Sequence, residues 1–123
     1  MARVVAVIGA SSNRARYGNK AVRAFGRRGY TVVPVTPTEA EVEGLKAYPS
    51  VLDVPGAVDM ATFYVRPEVG LRVIDEVARK GIGEVWLNPG AGSPELERKA
   101  AALGIRAVSA CSIIGIGEDP SRY

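Results

Sequence analysis

The sequence has no histidine and only one cysteine, Cys111, among its 123 residues. The missing histidine removes the most common general base and zinc ligand, and it excludes nucleophile pairs in which histidine activates serine or cysteine. A single cysteine cannot form an intramolecular disulfide or a cysteine-based metal site. We therefore expect no metal site, and catalysis is a weaker hypothesis than binding.

Long hydrophobic runs and charge clusters are also missing. The apolar run Val4–Ile8 is too short to span a bilayer and ends at a glycine turn, so we expect a cytoplasmic protein without a membrane partner. The net charge of +3 would suit an anionic small ligand as well as nucleic acid. Because no basic DNA-reading element is visible, we expect no nucleic-acid partner.

Short β-branched runs alternate with amphipathic segments along the chain. The runs predict strands at Val4–Ile8, 30–35, 60–65, Glu84–Leu87 and 105–108. Apolar spacing and capping residues predict helices over 18–28, Pro67–Lys80 and from Ser93 to Leu103. Residues 38–57 predict a loop with a short helical turn near Val51–Asp53, and a short tail follows the fifth strand.

This alternation predicts an α/β, Rossmann-type three-layer fold. Strands joined by helices form parallel sheets with right-handed crossovers. We expect a five-stranded parallel sheet in the order 3-2-1-4-5, with helices on both faces. The length predicts one domain over residues 1–123.

The exit of the first strand carries the strongest chemical pattern. Glycine there permits a sharp turn, and the following helix offers unpaired amides and partial positive charge to a phosphate. The candidate phosphate-binding residues are Gly9, Ala10, Ser11, Ser12, Arg14, Arg16 and Lys20. The alternative is an ordinary tight turn with solvated arginines, since the strict G-x-G-x-x-G spacing is not present.

The end of the second strand bears on which nucleotide would bind. Domains of this type that bind NAD usually carry an acid there for the ribose hydroxyls. The segment from Val33 to Pro37 has neither that acid nor the arginine expected for NADP, which counts against a dinucleotide dehydrogenase. Thr36 and Pro37 are equally compatible with simple termination of the strand.

Two later loops leave the carboxyl ends of strands, where open α/β sheets bind ligands. The first contains Tyr64, Val65, Arg66 and Pro67, and the second contains Asn88, Pro89 and Gly90. Each is also compatible with ordinary helix-entry chemistry. Cys111 follows the fifth strand on the same side, where it is either a small buried hydrophobe or a thiol near a bound thiol cofactor.

Several segments, in order, resemble one known family. They are Val7-Ile8-Gly9-Ala10-Ser11-Ser12, the stretch from Gly29 to Pro37, Tyr48-Pro49-Ser50-Val51-Leu52-Asp53-Val54-Pro55, Val65-Arg66-Pro67-Glu68, Val85-Trp86-Leu87, and Ala102-Leu103-Gly104-Ile105 leading to Cys111. Together they resemble the CoA-binding domain family, which includes small stand-alone proteins and a domain of succinyl-CoA synthetase α subunits.

The resemblance implies a ligand and a placement for it. The turn Gly9–Ser12 would meet the CoA diphosphate, and Val35, Thr36 and Pro37 would border the adenosine. Tyr64, Val65, Arg66 and Pro67 would close its other side, while the loop from Asn88 to Gly92 would face the pantetheine arm. One departure is the stretch Thr38-Glu39-Ala40-Glu41, where the synthetases have a lysine. These acids would repel a 3′-phosphate unless they point away.

Three functions follow as hypotheses. The first is a non-catalytic module that binds coenzyme A or an acyl-CoA, as a carrier, a sensor or a partner subunit. The second is a CoA-dependent or thioester-handling enzyme that uses Cys111. The third is an NAD(H)-responsive regulatory domain, by fold analogy alone. In each case the partner is a nucleotide-type small molecule, and a homodimer or another protein partner is compatible with the chain.

Overall fold

A computed structural model describes residues 2–123. A parallel sheet contains β1 (Val4–Ile8), β2 (Thr31–Val35), β5 (Met60–Phe63), β6 (Glu84–Leu87) and β7 (Arg106–Val108). The helices are α1 (Tyr17–Arg27), α2 (Pro67–Lys80), α3 (Pro94–Ala102) and α4 (Ser112–Gly115). A hairpin of β3 (Glu41–Val42) and β4 (Leu45–Lys46) and two 3-10 turns, Val51–Asp53 and Pro120–Arg122, complete the chain.

The five long strands run parallel in the order β2-β1-β5-β6-β7. Apolar side chains fill both faces of this sheet. On one face a cluster that includes Phe63 packs under α2 and α3, and on the other a cluster that includes Phe25 packs under α1 and α4. The predicted α/β fold, with five parallel strands and helices on both faces, is confirmed.

The neighbour of β2 at the outer edge of the sheet is not the strand that the sequence predicted there. The predicted order 3-2-1-4-5 put the strand from residue 60 beside the second strand, whereas β5 pairs with β1 on its other side. Outside β2 there is a single parallel bridge, in which Tyr48 lies beside Val35. The sheet thus keeps the Rossmann order, with its third position reduced to this bridge.

Pro34 explains why the outer strand is so short. Its carbonyl accepts the Tyr48 amide at the outer edge of β2, but its ring nitrogen has no hydrogen to donate there. A fully paired strand is disfavoured at that edge. Every residue of β5 is buried, which suits an interior position between β1 and β6.

Two segments predicted as irregular contain regular structure. Residues 38–57 include the β3–β4 hairpin in addition to the expected turn at Val51–Asp53. The tail after β7 forms α4 and the turn Pro120–Arg122. The strands and turns in both segments are too short to show hydrophobic periodicity. Their structure depends on contacts with distant residues.

Candidate functional site

A cleft of about 620 Å³ opens at the carboxyl ends of β1, β5 and β6. β2 and β5 lie on opposite sides of β1, so the cleft is at the point where the strand order reverses, the usual ligand site of open α/β sheets. Its wall is formed by Gly9, Ala15, Arg16, Tyr17, Gly18, Tyr64, Val65, Arg66, Asn88, Pro89, Gly90, Ala91, Cys111, Ile114 and Pro120.

Two glycines bring α1 against the first turn. Gly9 has φ +91°, and a Cβ there would lie 2.8 Å from the Tyr64 carbonyl oxygen. A Cβ at Gly18 would overlap the Gly9 carbonyl oxygen. The start of α1 can therefore approach the ends of β1 and β5 only because both positions lack a side chain.

The first turn of α1 presents unpaired donors to the cleft. Arg16 is the N-cap residue but makes no side-chain capping bond, and the turn contains no acidic residue. Asn19 N and Lys20 N both donate to the Arg16 carbonyl. The amides of Tyr17 and Gly18 have no acceptor within residues 2–123. This end of the helix has the partial positive charge that attracts anions.

Two arginines line the same cleft. Arg16 precedes α1, and Arg66 is the N-cap residue of α2, also without a side-chain capping bond. In the part of the chain that the structure describes, neither guanidinium lies within 4.0 Å of a carboxylate. Both are exposed at the cleft and available to a ligand.

A buried polar network forms the floor of the cleft. Asn88 Nδ2 donates to Thr62 Oγ1 at 2.7 Å and to the Phe63 carbonyl at 2.8 Å. The Ser112 amide donates to Asn88 Oδ1 at 2.8 Å, and its hydroxyl lies 2.7 Å from Thr62 Oγ1. This network ties the start of α4 to the ends of β5 and β6.

Tyr64 joins the same network through its hydroxyl, 3.1 Å from Ser112 Oγ. Burial raises the pKa of Tyr64 to about 12, although hydrogen bonds from Ser112 and Thr62 oppose that rise. The phenol is therefore neutral at physiological pH and offers a hydroxyl, not an anion, to the cleft.

Cys111 and Ile114 close the side of the cleft formed by α4. Cys111 is partly buried, and Ile114 is 63% exposed, unusual for a side chain of this size. A second pocket of about 330 Å³ adjoins the cleft at Asn88, Pro89 and Gly90 and continues toward Ser109. The Asn88–Gly90 loop thus separates two connected depressions.

The segment that follows β2, including the β3–β4 hairpin, contacts the first turn and α1. Glu39 Oε2 accepts a hydrogen bond from the Ser12 amide at 3.0 Å. Glu43 Oε2 accepts one from Asn19 Nδ2 at 3.0 Å and lies 3.4 Å from Arg14 Nε. The acids after the second strand thus point toward the candidate phosphate turn.

The structure brings about half of the candidate residues together. Eight of them line the cleft: Gly9, Arg16, Tyr64, Val65, Arg66, Asn88, Pro89 and Gly90. The others lie beside or outside it: Ala10, Ser11, Ser12, Arg14, Lys20, Val35, Thr36, Pro37 and Pro67. Ala10 is buried, and Lys20 Nζ lies 4.9 Å from the Tyr17 ring centroid.

Sequence analysis missed the buried hydroxyls and the contacts made by the acids that follow β2. Thr62 and Ser112 are far apart in sequence, and no local spacing connects them to Asn88. Glu39 is four residues beyond the end of β2, outside the position at which a ribose-binding acid is sought. Within residues 2–123, no cluster of three potential metal ligands is found, and no helix is long and apolar enough to cross a membrane.

Comparison with known proteins identifies the family. A family model described as a CoA-binding domain matches residues 3–117. The chain belongs to the CoA-binding domain family. The resemblance inferred from the sequence is confirmed.

Curated relatives of this CoA-binding domain include much longer proteins. It is 36% identical over 99 residues to the alpha subunit of ADP-forming acetate–CoA ligase II of Pyrococcus furiosus, covering 79% of this chain and 22% of that protein. It is 33% identical over 106 residues to the ADP-forming acetate–CoA ligase of Methanocaldococcus jannaschii, covering 83% and 15%. The chain thus spans less than a quarter of these relatives.

Solved structures agree with this assignment. A hypothetical protein from Pyrococcus horikoshii OT3 superposes with a TM-score of 0.86 at 32% identity, covering 89% of this chain and 78% of that one. The dinucleotide-forming acetyl-coenzyme A synthetase 1 of Ca. Korarchaeum cryptofilum, solved with phosphate and ADP, gives 0.78 at 33% identity. That match covers 87% of this chain and 25% of the synthetase.

Proposed function

We propose that this domain binds coenzyme A or an acyl-CoA in the cleft, without catalysing a reaction itself. The observation that carries the proposal is the uncapped start of α1, whose Tyr17 and Gly18 amides open onto a 620 Å³ cleft in a CoA-binding family member. A cleft of this volume is in the range of small-molecule sites.

The diphosphate is assigned to the start of α1. Two free amides, the partial charge of the helix and the guanidinium of Arg16 all act at this point, and Arg66 faces it from the start of α2. In this arrangement the Gly9–Ser12 turn sets the geometry, and Arg14 and Lys20 provide weaker, more distant charge.

The adenosine is assigned to the end of β2. Gly9 N and Ala10 N donate to the Val35 carbonyl, so the Val35–Pro37 segment lies directly beside the first turn. Thr36 is buried there, and Tyr64 to Pro67 approach from the other side of β1. A nucleoside placed between these segments would leave its diphosphate near α1.

The pantetheine arm is assigned to the Asn88–Gly90 loop. Gly90 has φ +90°, and nothing lies within 4 Å of the position that a Cβ would take, so a ligand can approach its backbone. The arm would pass between this loop and Ile114, close to Cys111. The adjoining 330 Å³ pocket gives an attached acyl group a place to extend.

The ligase names of the relatives suggest how such a module works. Those proteins are named as acetate–CoA ligases, one of them as an alpha subunit. By analogy, this domain would present CoA to a partner protein or to a second copy of itself. A thioester-handling enzyme that uses Cys111 is the competing proposal, and it would be refuted if the wild type showed no thioester turnover or if C111S kept the turnover of the wild type.

Calorimetric titration with CoA tests the proposal. We expect saturable binding with one site per chain, and about tenfold weaker binding by the R16Q variant, because a charged donor to phosphate is lost. R27Q is the matched control, because Arg27 is exposed in the last turn of the same helix. Absence of binding to CoA at millimolar concentration, or equal weakening by both variants, would refute the proposal.

A further inference from the structure

A carboxylate of the chain itself occupies the first turn. Glu39 Oε2 accepts the Ser12 amide at 3.0 Å, and the hydroxyl and amide of Ser12 both lower the pKa of Glu39. Glu39 is therefore ionised at neutral pH and fixed beside the turn. It follows β2, the strand after which Rossmann domains place the group that recognises the ribose.

The β3–β4 hairpin, which begins two residues after Glu39, is anchored to α1. Glu43 has φ +51° and Gly44 has φ +77°, so two consecutive residues adopt the left-handed region. That conformation is unusual for glutamate, and it points the Glu43 carboxylate at Asn19 and Arg14. Asn19 is fully buried and donates to the Ser11 carbonyl as well, which connects hairpin, helix and first turn.

The positive charge near Glu39 is already compensated. Arg14, the nearest arginine after the turn in sequence, pairs with Glu43. For the chain as far as the structure describes it, no lysine or arginine nitrogen lies within 4.0 Å of the Glu39 carboxylate. Arg16 and Arg66 lie around the separate cleft wall. An anionic group arriving beside Glu39 would meet a negative charge without a compensating cation.

The chemistry of a carboxylate determines what it accepts. An ionised carboxylate can accept hydrogen bonds but cannot donate them, so it suits the two hydroxyls of an unsubstituted ribose. A 3′-phosphate replaces one of these two donors with acceptor oxygens and adds negative charge at neutral pH. Acids at the end of the second strand of Rossmann domains recognise free ribose hydroxyls in the same way, and Glu39 lies four residues beyond that end.

We propose that Glu39 is a specificity-determining residue, which makes the site prefer an adenosine nucleotide with a free ribose 3′-hydroxyl over its 3′-phosphorylated form. The inference rests on the proposed function, since it concerns the adenosine end of the same ligand. Coenzyme A carries a 3′-phosphate and dephospho-CoA does not. The domain therefore binds dephospho-CoA more tightly than CoA.

The test compares these two ligands, which differ only in the 3′-phosphate. Calorimetric titration of the full chain at low ionic strength is expected to give about tenfold tighter binding of dephospho-CoA, since a nearby like charge costs most when screening is weak. The E39Q variant keeps an oxygen for the Ser12 amide but removes the charge, so the ratio of the two dissociation constants falls toward one. The E39K variant is expected to bind CoA more tightly than dephospho-CoA.

Glu41 provides the matched control, because it is exposed two residues after Glu39, in β3, and lies opposite Lys46. E41Q is expected to keep the wild-type ratio. Equal or tighter binding of CoA by the wild type, or a ratio that E39Q leaves unchanged, would overturn this inference while the proposed function stands. Failure of both ligands to bind would overturn the proposed function and this inference with it.

Discussion

Gly18 decides how closely α1 can approach the first turn. A Cβ added there would overlap the Gly9 carbonyl oxygen, a backbone atom that cannot move without displacing the turn. We expect G18A to lower the free energy of unfolding by about 2 to 3 kcal/mol, through backbone displacement and overpacking. Urea unfolding measures this loss.

Gly26 is the control for this substitution. It lies in the same helix, and nothing lies within 4 Å of the position that its Cβ would take. G26A should leave stability unchanged or raise it by up to about 1 kcal/mol, because alanine favours a helix over glycine. A G18A variant as stable as G26A would show that the helix does not depend on this close approach.

The raised pKa of Tyr64 leads us to expect a loss of stability at high pH. Its pKa is raised to about 12 in the folded chain, from an ordinary value of 10.0, because the phenol is buried. Between these values the unfolded chain releases a proton that the folded chain retains. Stability is therefore full below about pH 10 and falls as the pH rises to 12, by up to about 2 to 3 kcal/mol.

The Y64F variant isolates this effect, because phenylalanine has no proton to release. All other side chains are the same in both proteins, so the difference between their unfolding free energies reports on Tyr64. Between pH 10 and pH 12 the wild type should lose stability relative to Y64F. Parallel pH profiles would mean that the phenol is not titrated differently on folding.

Single residues were predictable where their role is local. Gly9 was identified from its place after a strand, and the structure gives it the positive φ that such a turn requires. The contacts of Glu39 with Ser12 and of Ser112 with Asn88 were not predicted, because the partners are 27 and 24 residues apart in sequence. Only the completed fold brings these pairs together.

At the scale of elements, α4 depends on the buried network. Four residues are too few for a stable isolated helix, and its first amide is bound by Asn88. We expect N88A to cost about 2 to 4 kcal/mol, since the Ser112 amide and Phe63 carbonyl lose their buried partner. Hydrogen exchange should accelerate in residues 112–116 more than in α1.

Asn13 offers a comparison for that variant. It is an exposed asparagine whose side chain accepts one bond, from the Ala15 amide. N13A should therefore cost less than about 1 kcal/mol and leave exchange in α4 unchanged. If N88A affected α4 no more than N13A does, the network would not be what holds that wall of the cleft.

Long elements with clear signals at both ends were predicted well, and short elements that depend on distant neighbours were not. α2 was predicted with its observed bounds, because Pro67 begins it and Gly81, with φ +85°, ends it. The β3–β4 hairpin was missed, since strands of two residues show no alternation. Strand order along the chain does not reveal that β5 pairs with β1 on the side away from β2.

At the scale of the whole molecule, the cleft is a consequence of topology. β1 leads to β2 on one side, while β5, β6 and β7 extend on the other, and the loops after β1 and β5 diverge at that point. Membership of the CoA-binding domain family adds the ligand class to this general site. The placement of diphosphate, adenosine and pantetheine within it remains the proposal to be tested.

The most direct test is an amide-resolved NMR titration of the full chain with CoA and dephospho-CoA. We expect saturable chemical-shift changes concentrated at Gly9, Tyr17, Gly18 and Gly90, with Arg27 and Gly81 at the far ends of α1 and α2 unaffected. Bound ligand at about 100 times its dissociation constant should also stabilise the fold by about 2.7 kcal/mol. No shifts with either ligand, or shifts confined to residues away from the cleft, would show that CoA does not bind in this cleft.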